Sequence, residues 1–287
     1  MSTSTIRHFV HGAGTWFPGD GSVLRAQIKA FMARAAEEDP VVQGPILGGI
    51  APHAGLQYSG RTAASTFHAI VSRLPSDGEP DAVIILGFCH RQSFDGFALM
   101  DVDALVSPLG ESCVARGLVR ELCSRAPCIQ ADNTPHRGEH SAENLVPFIQ
   151  YTLPNVPMVI GLFGGHVRQV CRAVAEALRE TGAGRRLLLL ASTDLLHDAD
   201  EKRVGRTDRV TLQHIAARDT DALLAAWQPG FQVCCGISPV TTLLDYLDGR
   251  EGVLGHRLSY RNSGEDYPEM RGQWVVGYGA VVFTEPG

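Results

Sequence analysis

Apolar and polar positions fall into two regimes along this chain. Four stretches, 45–52 ("PILGGIAP"), 82–88 ("AVIILGF"), 156–162 ("VPMVIGL") and 186–192 ("RLLLLAS"), are nearly continuous apolar runs. Such runs mark strands buried on both faces of a sheet rather than half-exposed ones. Between them the period changes. Ser22 to Glu38 places Leu24, Ile28, Phe31 and Met32 on one face of a helix, and helical patterns recur over 60–74, 113–126, 141–153 and 167–182. Later helices are predicted over Arg209–Ala217, over Asp219–Trp227, and from 237 onward, where Ser238-Pro239 makes a favourable start. "DGFALMD" reads as a further strand, and "HRLSY" pairing with "WVVGYGAVVF" would add antiparallel strands near the end.

This alternation predicts a single α/β domain over 1–287, with a mixed, mostly parallel sheet flanked by helices. No linker, repeat or low-complexity block divides it. With 287 residues and 44% apolar composition, the chain can build a sizeable core. Its formal charge of −6, from 25 basic and 31 acidic residues, argues against a nucleic-acid surface. The 7 cysteines are odd in number and include no CxxC, which points to a reducing compartment. With no signal-like h-region and no membrane-length apolar run, the expectation is a cytoplasmic protein without membrane partners.

Chemistry gathers at the ends of the apolar runs, where open α/β sheets place their sites. "GGIAP" leads into His53, "VIILGF" into Cys89-His90, and "LLLLAST" into Asp194 with His197 three residues on. "FQVCCGISP" carries Cys234 and Cys235, and "HRGEHSAEN" carries His136, Glu139, His140 and Glu143. Each has a plainer reading. A histidine after a strand serves as a hydrogen-bonded loop residue, Asp194 caps the "STDLLHD" turn, and Cys234 and Cys235 are small buried hydrophobes. Ser141 with Glu139 and Glu143 reads as capping at a helix start. Convergence of several such ends on one crevice favours a metal site instead. Two imidazoles and a thiolate suit zinc, iron or copper, and three protein ligands leave open positions. His197 could then move protons for a substrate, oriented by Asp194.

Taken in order, "AGTWFPGD", "APHAGLQYSG", "ILGFCH", "SPLGE", "GEHSAENLVPF", "ASTDLLH", "CGISPVTTLL" and "YGAVVF" span nearly the whole chain. In these motifs the chain resembles the Memo family, the B component of the AmmeMemoRadiSam set, which is similar in fold to class III extradiol ring-cleaving dioxygenases. The resemblance implies metal ligands at His53, His90 and Cys235, with Cys235 standing where the dioxygenases use a carboxylate. It implies an acid/base role for His197; in a dioxygenase Asp194 would set the His197 tautomer and His140 would hydrogen-bond bound oxygen or substrate. The chain departs from the family pattern at Cys89 and Arg91 around His90, at Leu145, and at Ile237-Ser238. The leading expectation is an iron(II) dioxygenase acting with O2 on a small catechol-like or aminophenol-like aromatic. The alternatives are a non-enzymatic iron- or copper-binding redox or interaction module, and a zinc-dependent hydrolase.

Overall fold

The computed structural model describes residues 5–286. Its strands are β1 (Arg7–Phe9), β2 (Ile46–Ala51), β3 (Ala82–Phe88), β4 (Phe97–Leu99), β5 (Ala104–Ser107), β6 (Gly110–Cys113), β7 (Ile129–Ala131), β8 (Met158–Phe163), β9 (Leu187–Ser192), β10 (His197–Asp198), β11 (Leu254–Asn262) and β12 (Val275–Thr284). The helices are α1 (Gly21–Glu38), α2 (Leu56–Asp77), α3 (Arg116–Arg125), α4 (Val146–Thr152), α5 (Arg168–Thr181), α6 (Glu201–Ala216), α7 (Thr220–Ala226), α8 (Ile237–Leu247) and α9 (Ser263–Asp266).

The four apolar runs become β2, β9, β3 and β8, which lie side by side in that order and run parallel. Every residue of β8 and β9 is buried. At about 1.5–3 kcal/mol for each buried large aliphatic side chain, these strands are the main source of cohesion. Antiparallel strands flank the parallel middle: β12 pairs with β2 on one side and β4 with β8 on the other. The pairing of β11 with β12 sets Arg257 opposite Val281. Close approach dictates composition at the β4–β8 seam, since a Cβ at Gly161 would lie 2.0 Å from the Phe97 ring. Helix α2 packs on β2 and β12 with α1 outside it, while α8 packs on β9 and β3 with α5 outside it. No helix among the described residues is long and apolar enough to cross a membrane.

Several local expectations change. The helix expected over 141–153 is a 3-10 turn at Glu143–Leu145 followed by the short α4, and no side chain caps it. Ser141 Oγ instead donates to the Phe88 carbonyl at 2.7 Å. The helix expected from Arg209 begins at Glu201, because Asp200 accepts from the amides of Lys202 and Arg203. The helix expected from 113 begins at Arg116, since Cys113 belongs to β6. A second, three-stranded sheet, β1–β5–β6, has no counterpart in the sequence reading. Its strands are three or four residues long, too short for a period to show.

Candidate metal centre

Strand order decides what meets. Since β9 lies between β2 and β3, the segments following all three open at the same edge of the sheet. His53 follows β2, His90 follows β3, and Asp194 follows β9. Register puts Ser192 opposite Ala51, two residues before His53. His53, His90 and His140 each bring one ring nitrogen to a common point, with all three atoms within 4.8 Å of one another. Their ring centroids are 5.3–5.6 Å apart.

The hydrogen bonds behind the rings fix their protons. The Ser192 hydroxyl donates to the Ser141 carbonyl, so it can only accept from His53 Nδ1, 2.9 Å away. His90 Nδ1 lies 3.1 Å from Glu139 Oε1, an oxygen that only accepts when ionised. Both rings therefore carry the proton on Nδ1 and present a bare Nε2. Glu139 does more than orient His90. It also accepts from the backbone amides of His90 at 2.6 Å and of His140 and Ser141 at 2.9 Å. Burial alone would raise the Glu139 carboxyl. The His90 hydrogen bond, the neighbouring imidazoles of His90 and His140 and the Ser141 amide together hold it well below the ordinary range. The His140 ring stacks on Trp16 at 4.0 Å between centroids, with planes 2° apart.

Cys235 adjoins the cluster, its Sγ 3.4 Å from His53 Nε2, but it lies outside the mutual set of three imidazoles. Burial, then the nearby Asp194 charge, push its thiol well above the usual range, and the Asp194 amide donates to the sulfur at 3.3 Å. A cation close by would reverse that burden and favour the thiolate. Asp194 does not serve as a local turn cap. Its Oδ1 accepts from the amides of His53 at 2.8 Å and Ala54 at 3.2 Å, bracing the segment that carries His53, while Oδ2 lies 3.9 Å from His53 Nε2. Burial raises its carboxyl despite those bonds. Among the described residues no hydrogen bond joins Asp194 to His197, so Asp194 acts on that ring through charge. Burial lowers His197, and the Asp194 charge works in the opposite direction.

These residues line one cavity of about 650 Å³. His53, His90, His140, Asp194, Cys235 and His197 line it together with Tyr58, Phe231, Trp274 and Tyr278. The six polar residues singled out in the sequence all line this cavity, and His140, expected to contact substrate, lies beside the two imidazoles expected as ligands. Ser192 as the partner of His53 and Trp16 as the support of His140 were not expected. Glu139, expected at a helix start, braces His90 instead. A carboxylate directly preceding His140 was the available signal, but the link to His90 spans 49 positions.

The Memo-like protein family model matches residues 7–282. A MEMO1 family protein of Methanopyrus kandleri is 30% identical, covering 94% of this chain and 96% of the relative. A MEMO1 family protein of Methanothermobacter thermautotrophicus is 36% identical over 69% of this chain and 71% of its own length. Among solved structures, an uncharacterized protein from Escherichia coli K12 aligns with a TM-score of 0.45 at 13% identity, covering 82% of this chain and 99% of that one.

Proposed function

The chain belongs to the Memo-like protein family, and from that premise we propose a non-haem iron(II) oxygenase that acts with O2 on a small catechol-like or aminophenol-like aromatic. The carrying observation is the wiring behind the imidazoles: Nδ1 of His53 is committed to Ser192 and Nδ1 of His90 to Glu139, which leaves two lone pairs aimed at one point. That is the arrangement expected of metal-ligating histidines with their orienting partners. His53, His90 and His140 would hold the ion, with Cys235 as a softer donor beside His53. The set fits iron, and it also accepts copper or zinc. Iron(II) supplies the one-electron steps that let O2 react with a closed-shell organic molecule.

The remaining residues prepare the substrate. Trp16, Tyr58, Phe231, Trp274 and Tyr278 give the cavity aromatic walls that suit a planar ring. His197, neutral because burial lowers it, takes a proton from a substrate hydroxyl, and the Asp194 charge steadies the imidazolium that forms. His140, fixed by Trp16, also offers a polar contact to substrate in the cavity.

Anaerobic loading with iron(II), metal analysis, and oxygen uptake with a panel of catechols and aminophenols test this reading. Uptake that disappears in His53→Ala supports it. Tight iron or copper binding without uptake moves the protein to the second reading, a redox metal module, which the Cys235 thiol beside His53 favours because it is itself oxidisable. Zinc-supported turnover indifferent to oxygen would make it a hydrolase.

A further inference from the structure

The loop that carries Glu139 and His140 also carries Glu143, and Glu143 faces away from the cavity described above. Its side chain is only 3% exposed, yet Oε1 lies 2.6 Å from His8 Nε2 and Oε2 lies 3.3 Å from His11 Nδ1. Oε2 also accepts the His11 amide at 2.6 Å. One ligand atom from each of the three residues falls within 4.8 Å of the others, and the two rings sit 5.0 Å apart at 60°. The exposure is graded: His8 is 16% and His11 39% exposed at the side chain. A buried carboxylate therefore sits behind two imidazoles, and one side is open to water.

We propose that His8, His11 and Glu143 form a second divalent-cation site, of the zinc-binding type, that fastens the N-terminal strand β1 to the loop behind the inner histidines. Two imidazole nitrogens and one carboxylate oxygen, with a water from the exposed side, satisfy the four-coordinate preference of zinc. Without a cation, both rings point N–H groups at Glu143. On binding, each coordinating nitrogen turns a lone pair to the metal: a protonated ring releases that proton to solvent, and a neutral ring carries it on its other nitrogen. Arg91 is the nearby opposing charge; it is exposed, and its guanidinium donates to the Gly138 carbonyl at 3.0 Å. The site has a structural consequence. Trp16, which supports His140, lies five residues past His11, and Asn144, next to Glu143, donates to the His53 carbonyl at 2.7 Å. An ion here would fix both sides of that framework without touching the cavity.

The test is zinc stoichiometry of the full chain after chelator stripping, by equilibrium dialysis and metal analysis. It compares the parent with His53→Ala/His90→Ala, His8→Ala/His11→Ala and Glu143→Gln. The inner double variant should keep one equivalent, and the outer double variant should bind one fewer than the parent. Glu143→Gln, which preserves side-chain size, should weaken the outer equivalent at least tenfold. Cobalt(II) retained by the inner double variant should show ligand-field bands without a sulfur charge-transfer band. An outer double variant that folds as the parent does by circular dichroism and binds as many equivalents overturns the proposal. So does an inner double variant that binds no zinc. If the outer double variant does not fold, undiminished binding by Glu143→Gln overturns it instead. Failure of the oxygenase reading leaves these outcomes unchanged, because none depends on turnover.

Discussion

Two buried carboxylates stand behind different segments of the cavity lining and behave in opposite ways. Glu139, behind His90 and His140, accepts from three backbone amides and from His90 Nδ1, and its carboxyl is held down. Asp208, on α6 behind the strand that carries His197, accepts from the Leu196 amide at 3.1 Å and the Tyr260 hydroxyl at 3.0 Å. Burial outweighs those two bonds and pushes Asp208 up to about 7. The difference lies in the number of donors and the presence of imidazoles, since burial penalises both charges. Behind one segment the sequence builds a permanent anion that orients ligand-type histidines. Behind the other it places an acid that spends much of the neutral range protonated and holds backbone in place.

The largest effect should come from removing the permanent anion. Glu139→Ala strands the buried Ser141 amide and the part-buried His90 and His140 amides; a buried group left unpaired costs about 1–3 kcal/mol, so a loss of about 3 kcal/mol or more is expected in denaturant unfolding. Glu139→Gln is the milder probe. It keeps one accepting oxygen but turns an NH2 group toward donors, and metal affinity should fall about 10–100-fold. A competition titration that finds unchanged affinity in Glu139→Gln would remove the orienting role.

Asp208 should give the next largest effect, visible as a pH dependence. Its folded value lies above the ordinary 3.8, so between pH 4 and pH 7 the native state holds a proton that the unfolded chain has released. Stability from this group is therefore full below the unfolded value and declines as pH rises through about 7. Asp208→Asn removes the slope. By thermal or urea unfolding it should lie nearest the parent at about pH 4, and its margin should grow by about 2 kcal/mol between pH 5 and pH 8, under a ceiling of about 4 kcal/mol for a three-unit displacement. Equal pH slopes in parent and variant would mean that Asp208 is ionised throughout.

The contrast between these carboxylates also shows what the chain announces and what it conceals. The strands β2, β3, β8 and β9 were legible because burial on both faces forces unbroken apolar runs. The strand-end residues His53, His90 and Asp194 were legible because a parallel sheet sends all its carboxyl ends to one edge. Glu139 was visible as a residue but not as a partner, since its bond to His90 depends on the path of a loop. Ser192 looked like part of a turn, and only its register against Ala51 makes it the partner of His53. His8 and His11 lie on and just after a three-residue strand, where no periodicity could link them to Glu143, 132 to 135 positions away. Asp208 sits in a helix whose start the polar sequence around Glu201 obscured.

Ser192 and Trp16 rank below the two carboxylates and measure how much orientation comes from each kind of contact. Ser192→Ala removes the acceptor for His53 Nδ1, which frees the tautomer and leaves a ring N–H unpaired. Metal affinity should drop about tenfold, at the lower end for an orienting partner. Trp16 offers no hydrogen bond to His140, only a stacked face at 4.0 Å. Such contacts are worth about 0.5–1.5 kcal/mol, so Trp16→Ala should weaken metal binding about two- to tenfold, and Trp16→Phe should recover most of that. A Trp16→Ala loss as large as that of Glu139→Gln would invert the ranking: His140 would then owe its position to the N-terminal segment rather than to the loop that carries it.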